Sequence, residues 1–225
     1  MKTASQIISW LFVPLFMPVY GLLIGMYVPS EGESAMQVNL FHLNDLSAGT
    51  PAQVFDVKMY ILLVYFIFTV LAPGFSLLMF KRQKRINSVE LDTREERGFP
   101  ISVTVVYCAM LGLFVWFQVP RGIVPDVIFS LPWAGVLASS IAGLINRREK
   151  ISLHAMGAGM LFGFLVAYFN TQESFNFEVL ILSVLIGGLV MSVRMYLEKH
   201  NLRECVSGYL LGFLTVFLVL TFFPK

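Results

Sequence analysis

Polar residues in this chain gather in a few short connections, and between them lie long stretches with almost no charge. Crossing a hydrocarbon core about 30 Å thick takes roughly 20 apolar residues at 1.5 Å of helical rise each. Seven runs meet that length, at 6–28, 54–80, 100–119, 123–146, 152–170, 176–197 and 203–223. The connection 29–53 is long, polar and acidic, the segment 81–98 (KRQKRINSVELDTREERG) is strongly charged, and the remaining connections read as tight turns. Pro73-Gly74 and Pro132 fall inside runs, where proline bends or ends a helix unless a neighbour satisfies the carbonyl it frees. The pattern predicts an all-α integral membrane helical bundle of about seven (six to seven) transmembrane helices, one domain over 1–225.

Composition narrows the class. With 57% hydrophobic residues, 13% charged residues and 21 Phe against 16 Lys plus Arg, a water-soluble globule is excluded. The two cysteines, Cys108 in an apolar run and Cys205 beside a charged turn, predict no disulfide framework, and no Cys/His spacing suggests zinc. The first run is longer than the apolar region of a signal peptide and lacks a small-residue cleavage site, so it is read as a retained span.

Threading seven spans puts the N-terminus and connections 81–98, 147–151 and 198–202 on one face. That face carries thirteen basic residues, against Lys58, Arg121 and Lys225 on the other. The excess of positive charge predicts that the first face is cytoplasmic. The expected location is a bacterial inner membrane.

Small residues recur at helical spacing late in the chain, Gly159 and Gly163 in the fifth run and Gly208 and Gly212 in the seventh. Lipid offers no hydrophobic drive for helix association, so such pairs allow close backbone packing. The fifth and seventh helices are therefore expected side by side, with their starts together.

At those starts stand the candidate functional residues: Lys150, Ser152 and His154 in "KISLHAMGAG", and Arg194, His200 and Glu204 in "SVRMYLEKHNLRECVSGYLLG". Each has a structural reading. Asn201 with Glu204 can form a capping box, Ser152 can cap the fifth helix, Arg194 and Lys199 can anchor at the interface, and His154 can be a satisfied core histidine. Together they suit phosphoryl transfer, because ionisable groups at membrane depth need a partner or a task. Cations and helix N-termini bind phosphate oxygens, a neutral imidazole can attack phosphorus, and a second, protonated imidazole can donate to the leaving oxygen. A carboxylate four residues after a histidine can orient its ring.

The spacing Arg194, five residues, His200, three residues, Glu204 resembles the third signature of the type 2 phosphatidic acid phosphatase superfamily (Ser-Arg, five residues, His, three residues, Asp). "ISLH", ending at His154, resembles its Pro-Ser-Gly-His signature, and "REERGFP", Arg94 to Pro100, is similar to its first, a lysine followed after six residues by Arg-Pro. Departures are Glu90 at the lysine position, Leu153 for glycine, Gly98-Phe99 between Arg97 and Pro100, and Glu204 for aspartate. Together with the early "LFMPVYGLL", the chain looks like a small multispanning branch, its phosphatase-like core at roughly 81–225. The resemblance implies a phosphatase-like membrane hydrolase acting on lipid or polyprenyl phosphate monoesters or pyrophosphates, without metal or other cofactor and without a nucleic-acid partner. Catalytic roles fall on His200 (nucleophile, forming a phosphohistidine), Glu204 (orienting carboxylate) and His154 (acid for the leaving group). Phosphate binding falls on Arg194, Ser152 and Arg97, with Lys150 one of several candidates for the missing cation. The alternatives are a catalytically inactive relative that binds anionic lipid headgroups or serves as an assembly partner, and a transporter. The near absence of mid-span ionisable residues and of visible repeats weighs against the last.

Overall fold

A computed structural model describes residues 2–28, 51–89, 91, 93–119, 121, 124–171 and 176–222, with side chains for all of these except 51–56. Most of the 29–53 connection, Glu90 and Lys225 therefore lie outside the described residues. Every regular element among the described residues is helical. Helix α1 (Lys2–Leu11) runs through a 3-10 turn (Pro14–Phe16) into α2 (Met17–Tyr27). Helix α3 (Pro51–Phe66) passes through a π turn (Ile67–Leu71) into α4 (Ala72–Arg82). Then follow α5 (Arg94–Gln118), α6 (Val127–Asn146), α7 (Leu153–Phe169), α8 (Phe177–Tyr196) and α9 (Leu202–Phe222).

Six of these units are long and apolar enough to cross a membrane: Lys2–Tyr27, Val57–Arg82, Arg94–Gln118, Val127–Asn146, Phe177–Tyr196 and Leu202–Phe222. The fifth run forms the shorter α7, 17 residues. Much of α7 is buried, from Ala155 and Met156 to Tyr168 and Phe169, so it sits at the centre of the bundle among the longer helices. A helix shielded by protein in this way does not have to match the full bilayer thickness with its own apolar surface.

Proline shapes three of the spans. Val13 is extended ahead of Pro14, which breaks the first span into α1 and α2. Ahead of Pro73 the second span widens into the π turn, where the Ala72 N–H donates to the Ile67 carbonyl five residues back. Pro132 lies inside α6 and has no N–H for the Ile128 carbonyl four residues earlier. The buried Tyr65 hydroxyl from the second span donates to that carbonyl at 2.6 Å, so a neighbouring helix supplies the lost bond.

Helices α7 and α9 pack backbone to backbone, as the glycine spacing predicts. A Cβ on Gly159 would fall on the Tyr209 carbonyl and one on Gly212 on the Met156 carbonyl. Cβ atoms on Gly163 and Gly208 would lie 2.6 Å from the carbonyls of Phe213 and Ser152. The crossing brings the start of α7, with His154, against the start of α9, with Glu204.

Candidate functional site

Three connections and the helix ends beside them converge at one end of the bundle. Arg94 donates to the Arg148 carbonyl (2.9 Å), Lys150 to the Lys199 carbonyl (2.9 Å), and the Ser152 N–H to the Glu204 carbonyl (3.1 Å). These bonds tie segments 81–98, 147–151 and 198–204 to one another, the grouping expected from threading.

His200 lies in the turn before α9 and its side chain is 1% exposed. Asn201 caps α9: its Oδ1 accepts from the Glu204 N–H (2.9 Å) while its Nδ2 donates to Glu204 Oε1 (3.0 Å). The second carboxylate oxygen, Oε2, stands 2.5 Å from His200 Nδ1. The cap and the orienting contact are therefore both present, one on each oxygen. On the other side of the ring, the Arg97 Nη2 donates to Nε2 at 3.4 Å. A carboxylate at Nδ1 and a guanidinium at Nε2 select one tautomer, with the proton on Nδ1 and the lone pair on Nε2. Burial, with the guanidiniums of Arg97 and Arg194 adding to it, pushes the His200 pKa down to about 2, so the ring is neutral. Neutral imidazole with a bare Nε2 is the nucleophilic form.

Arg97 is only 2% exposed and is locked by its Nε to the Leu91 carbonyl and by its Nη1 to the Ile151 carbonyl, both at 2.8 Å. Leu91 holds a left-handed backbone (φ 54°), which L residues rarely adopt, and in that conformation its carbonyl meets Arg97. Arg194, also 2% exposed, turns inward and donates to the Ser9 hydroxyl at 2.8 Å. It is not the interfacial anchor its position near the end of α8 suggested. The His154 ring hydrogen-bonds the backbone of the same Ser9. Ser9 thus braces one guanidinium and one imidazole at once. Sequence reasoning missed it; the only hint was a hydroxyl inside the otherwise apolar "IISWLF".

His154, His200, Arg97, Arg194 and Ser9 line a single cavity of about 600 Å³. Three other candidates stand outside its lining. Ser152 is fully buried, its Oγ accepting from the Ala155 N–H at 3.4 Å as the N-cap of α7. Lys150 spans to the Lys199 carbonyl, where its charge acts on His200 from a distance. Glu204 acts on the cavity through His200 rather than by lining it. The residues before position 81 also take part, since the first two spans supply Ser9 and much of the apolar wall.

The fold and the site define an all-α membrane helical bundle with imidazoles and guanidiniums gathered in a buried, largely apolar cavity. No family model, no curated protein and no solved structure matches the chain.

Proposed function

We propose that the chain is an integral membrane phosphatase that hydrolyses lipid or polyprenyl phosphates through a phosphohistidine on His200. One observation carries this reading: the neutral His200 ring, held by Glu204 at Nδ1 and by Arg97 at Nε2, lines a cavity it shares with a second imidazole and two buried guanidiniums. The phosphate would sit against Arg97 and Arg194, whose fixed positive charges meet its non-bridging oxygens at little reorganisation cost. Nε2 attacks phosphorus, the Nε2–P bond forms, the bond from phosphorus to the lipid oxygen breaks, and His154, entering as imidazolium after taking a proton with the bound phosphate, gives that proton to the lipid oxygen and becomes neutral. Water then attacks phosphorus and yields a proton to His154, the Nε2–P bond breaks, and inorganic phosphate leaves. Glu204 stabilises the positive ring in between. The resemblance to the type 2 phosphatidic acid phosphatase signatures supports these roles for His200, His154, Glu204, Arg194 and Arg97. Ser152 and Lys150 support the site by position rather than by contact with phosphate. The basic excess at this end of the bundle supports a cytoplasmic active face in a bacterial inner membrane. Nothing in this chemistry calls for a metal or a nucleic acid.

The test is phosphate release by purified protein from phosphatidate and from a prenyl pyrophosphate, with a phosphoryl adduct on His200 sought by mass spectrometry after rapid acid-free quenching. Release that persists unchanged in His200→Ala eliminates the proposal. A second reading, a silent relative that holds anionic headgroups, is favoured by the Arg97 Nη2 resting on His200 Nε2, where phosphorus would have to approach. Lipid binding without turnover across the same substrates would establish it.

A further inference from the structure

The cavity does not end at the polar residues. Below Arg97 it continues along α5 past Thr104 and Cys108 to Leu111, and along α6 from Ala142 past Ser139 and Gly135 to Leu131. From Arg97 to Leu111 is fourteen helical steps, a depth of about 21 Å at 1.5 Å per residue. One leaflet of the hydrocarbon core is about 15 Å deep, half of the full thickness. The cavity therefore runs from the charged end past the middle of the bundle, with a wall that is almost wholly apolar.

It also opens sideways. Four apolar side chains line the cavity and are exposed on the outside of the bundle as well: Trp10 of α1 (54%), Leu71 of the π turn (52%), and Phe75 (65%) and Leu78 (60%) of α4. A side chain that faces both the cavity and the exterior marks the rim of an opening. The first two spans meet along α2 and α3 and where the 3-10 turn packs on the π turn, while α1 itself leans on α8. The two proline-induced breaks thus part the spans beside the polar residues.

From this geometry we infer that the cavity sheathes one long hydrocarbon chain of a lipid phosphate, admitted from the bilayer between the first two spans, and that Cys108, Gly135 and Leu111 set the length it accepts. Charge fixes the polarity of the ligand: the buried guanidiniums and imidazoles sit at one end only, so the phosphate lies there and the chain runs away from it. Cys108 stands eleven residues, about three helical turns, from Arg97 along α5. A Cβ on Gly135 would meet the Cys108 sulfur at 3.0 Å, so α5 and α6 touch there and the two residues mark one level of the same wall. The volume lies within the range of about 300–1,000 Å³ usual for small-molecule sites. The inference rests on the proposed phosphate site for its head group, and on the cavity for its tail.

The experiment compares octyl phosphate with hexadecyl phosphate on detergent-solubilised full-length wild type, Cys108→Phe and Gly135→Leu, measuring both binding by native mass spectrometry and phosphate release. Thermal melting confirms that each variant is folded, and two substitutions on neighbouring helices guard against one that is not. Partitioning of the longer chain into micelles acts on all three proteins alike and cancels in the variant-to-wild-type ratio. The expected result is a loss of hexadecyl phosphate binding of about tenfold or more in both variants, with octyl phosphate binding within about twofold of wild type. Equal effects on both chain lengths, or no effect on either in folded protein, would overturn the inference. Chain-length dependence without any phosphate release would sink the phosphatase reading and leave the chain site standing, whereas release with an unchanged length profile would do the reverse.

Discussion

Glu204→Gln separates the orienting role of the carboxylate from its capping role. Glutamine keeps the length of the side chain and can still exchange hydrogen bonds with Asn201, as glutamine does in capping boxes, so the start of α9 stays intact. What disappears is the negative charge 2.5 Å from His200 Nδ1. In the ground state the ring is neutral and the loss is that of a charged acceptor for a neutral one. When Nε2 bonds to phosphorus the ring becomes positive, and the carboxylate then faces a cation. A hydrogen bond to a charged group contributes about 1.5–3 kcal/mol, and two unit charges about 4 Å apart at an effective dielectric of about 20 give about 4 kcal/mol as an upper bound. The Glu204 side chain is 19% exposed, which screens the pair and favours the lower range. At 1.36 kcal/mol per decade, kcat should fall roughly ten- to a hundredfold. Because Glu204 does not line the cavity, KM for a lipid phosphate should stay within about twofold. Steady-state phosphate release at saturating and limiting substrate reads both quantities, and thermal melting in detergent should show little change. A kcat within about twofold of wild type, or a KM that carries the whole loss, would refute the assignment of Glu204 as the group that supports a positive His200.

Tyr65→Phe should lower stability by about 1–3 kcal/mol, since it leaves the Ile128 carbonyl freed by Pro132 without its donor; unchanged thermal melting would contradict that account. Gly212→Leu should abolish the close approach of α7 and α9, because even a Cβ there falls on the Met156 carbonyl, and the expected readout is loss of folded monodisperse protein, with Gly188→Leu, where a Cβ meets nothing, as the tolerated control. Ser9→Ala should release Arg194 from its brace, leave the backbone bond to His154 in place, and reduce phosphate release more than it reduces melting temperature. His200 supplies a pH signature: its folded-state pKa is depressed to about 2, below the unfolded value near 6.5, so between these values the unfolded chain binds the extra proton. Its contribution is fully present above about pH 6.5 and is lost as pH falls toward 2, with a slope of up to about 1.4 kcal/mol per pH unit. Relative to wild type, His200→Gln should therefore lose stability less steeply on acidification, as measured by denaturation at stepped pH; parallel curves would contradict a buried neutral ring.

The distribution of apolar runs by itself determined the helical bundle, because a bilayer leaves a chain few ways to satisfy its backbone and each spanning helix writes its length directly into the sequence. The four glycines of α7 and α9 were equally legible, since contact between backbones requires small residues at a fixed helical spacing. Which polar side chains enter the site was decided only in three dimensions. Arg94 and Arg97 lie one turn apart, yet one reaches the outer Arg148 carbonyl and the other the buried His200, because the rotation of α5 against α7 and α9 sends them to different sides. Ser152 and His154 are two residues apart, and only His154 lines the cavity, Ser152 being consumed by the helix cap. Ser9, 185 positions from Arg194, is marked locally only as a lone hydroxyl in an apolar stretch. Short-range pattern encodes which face of a helix is greasy and where the helix ends; the choice among several polar groups at one membrane level depends on how distant helices rotate and cross, and that information is shared across the whole bundle.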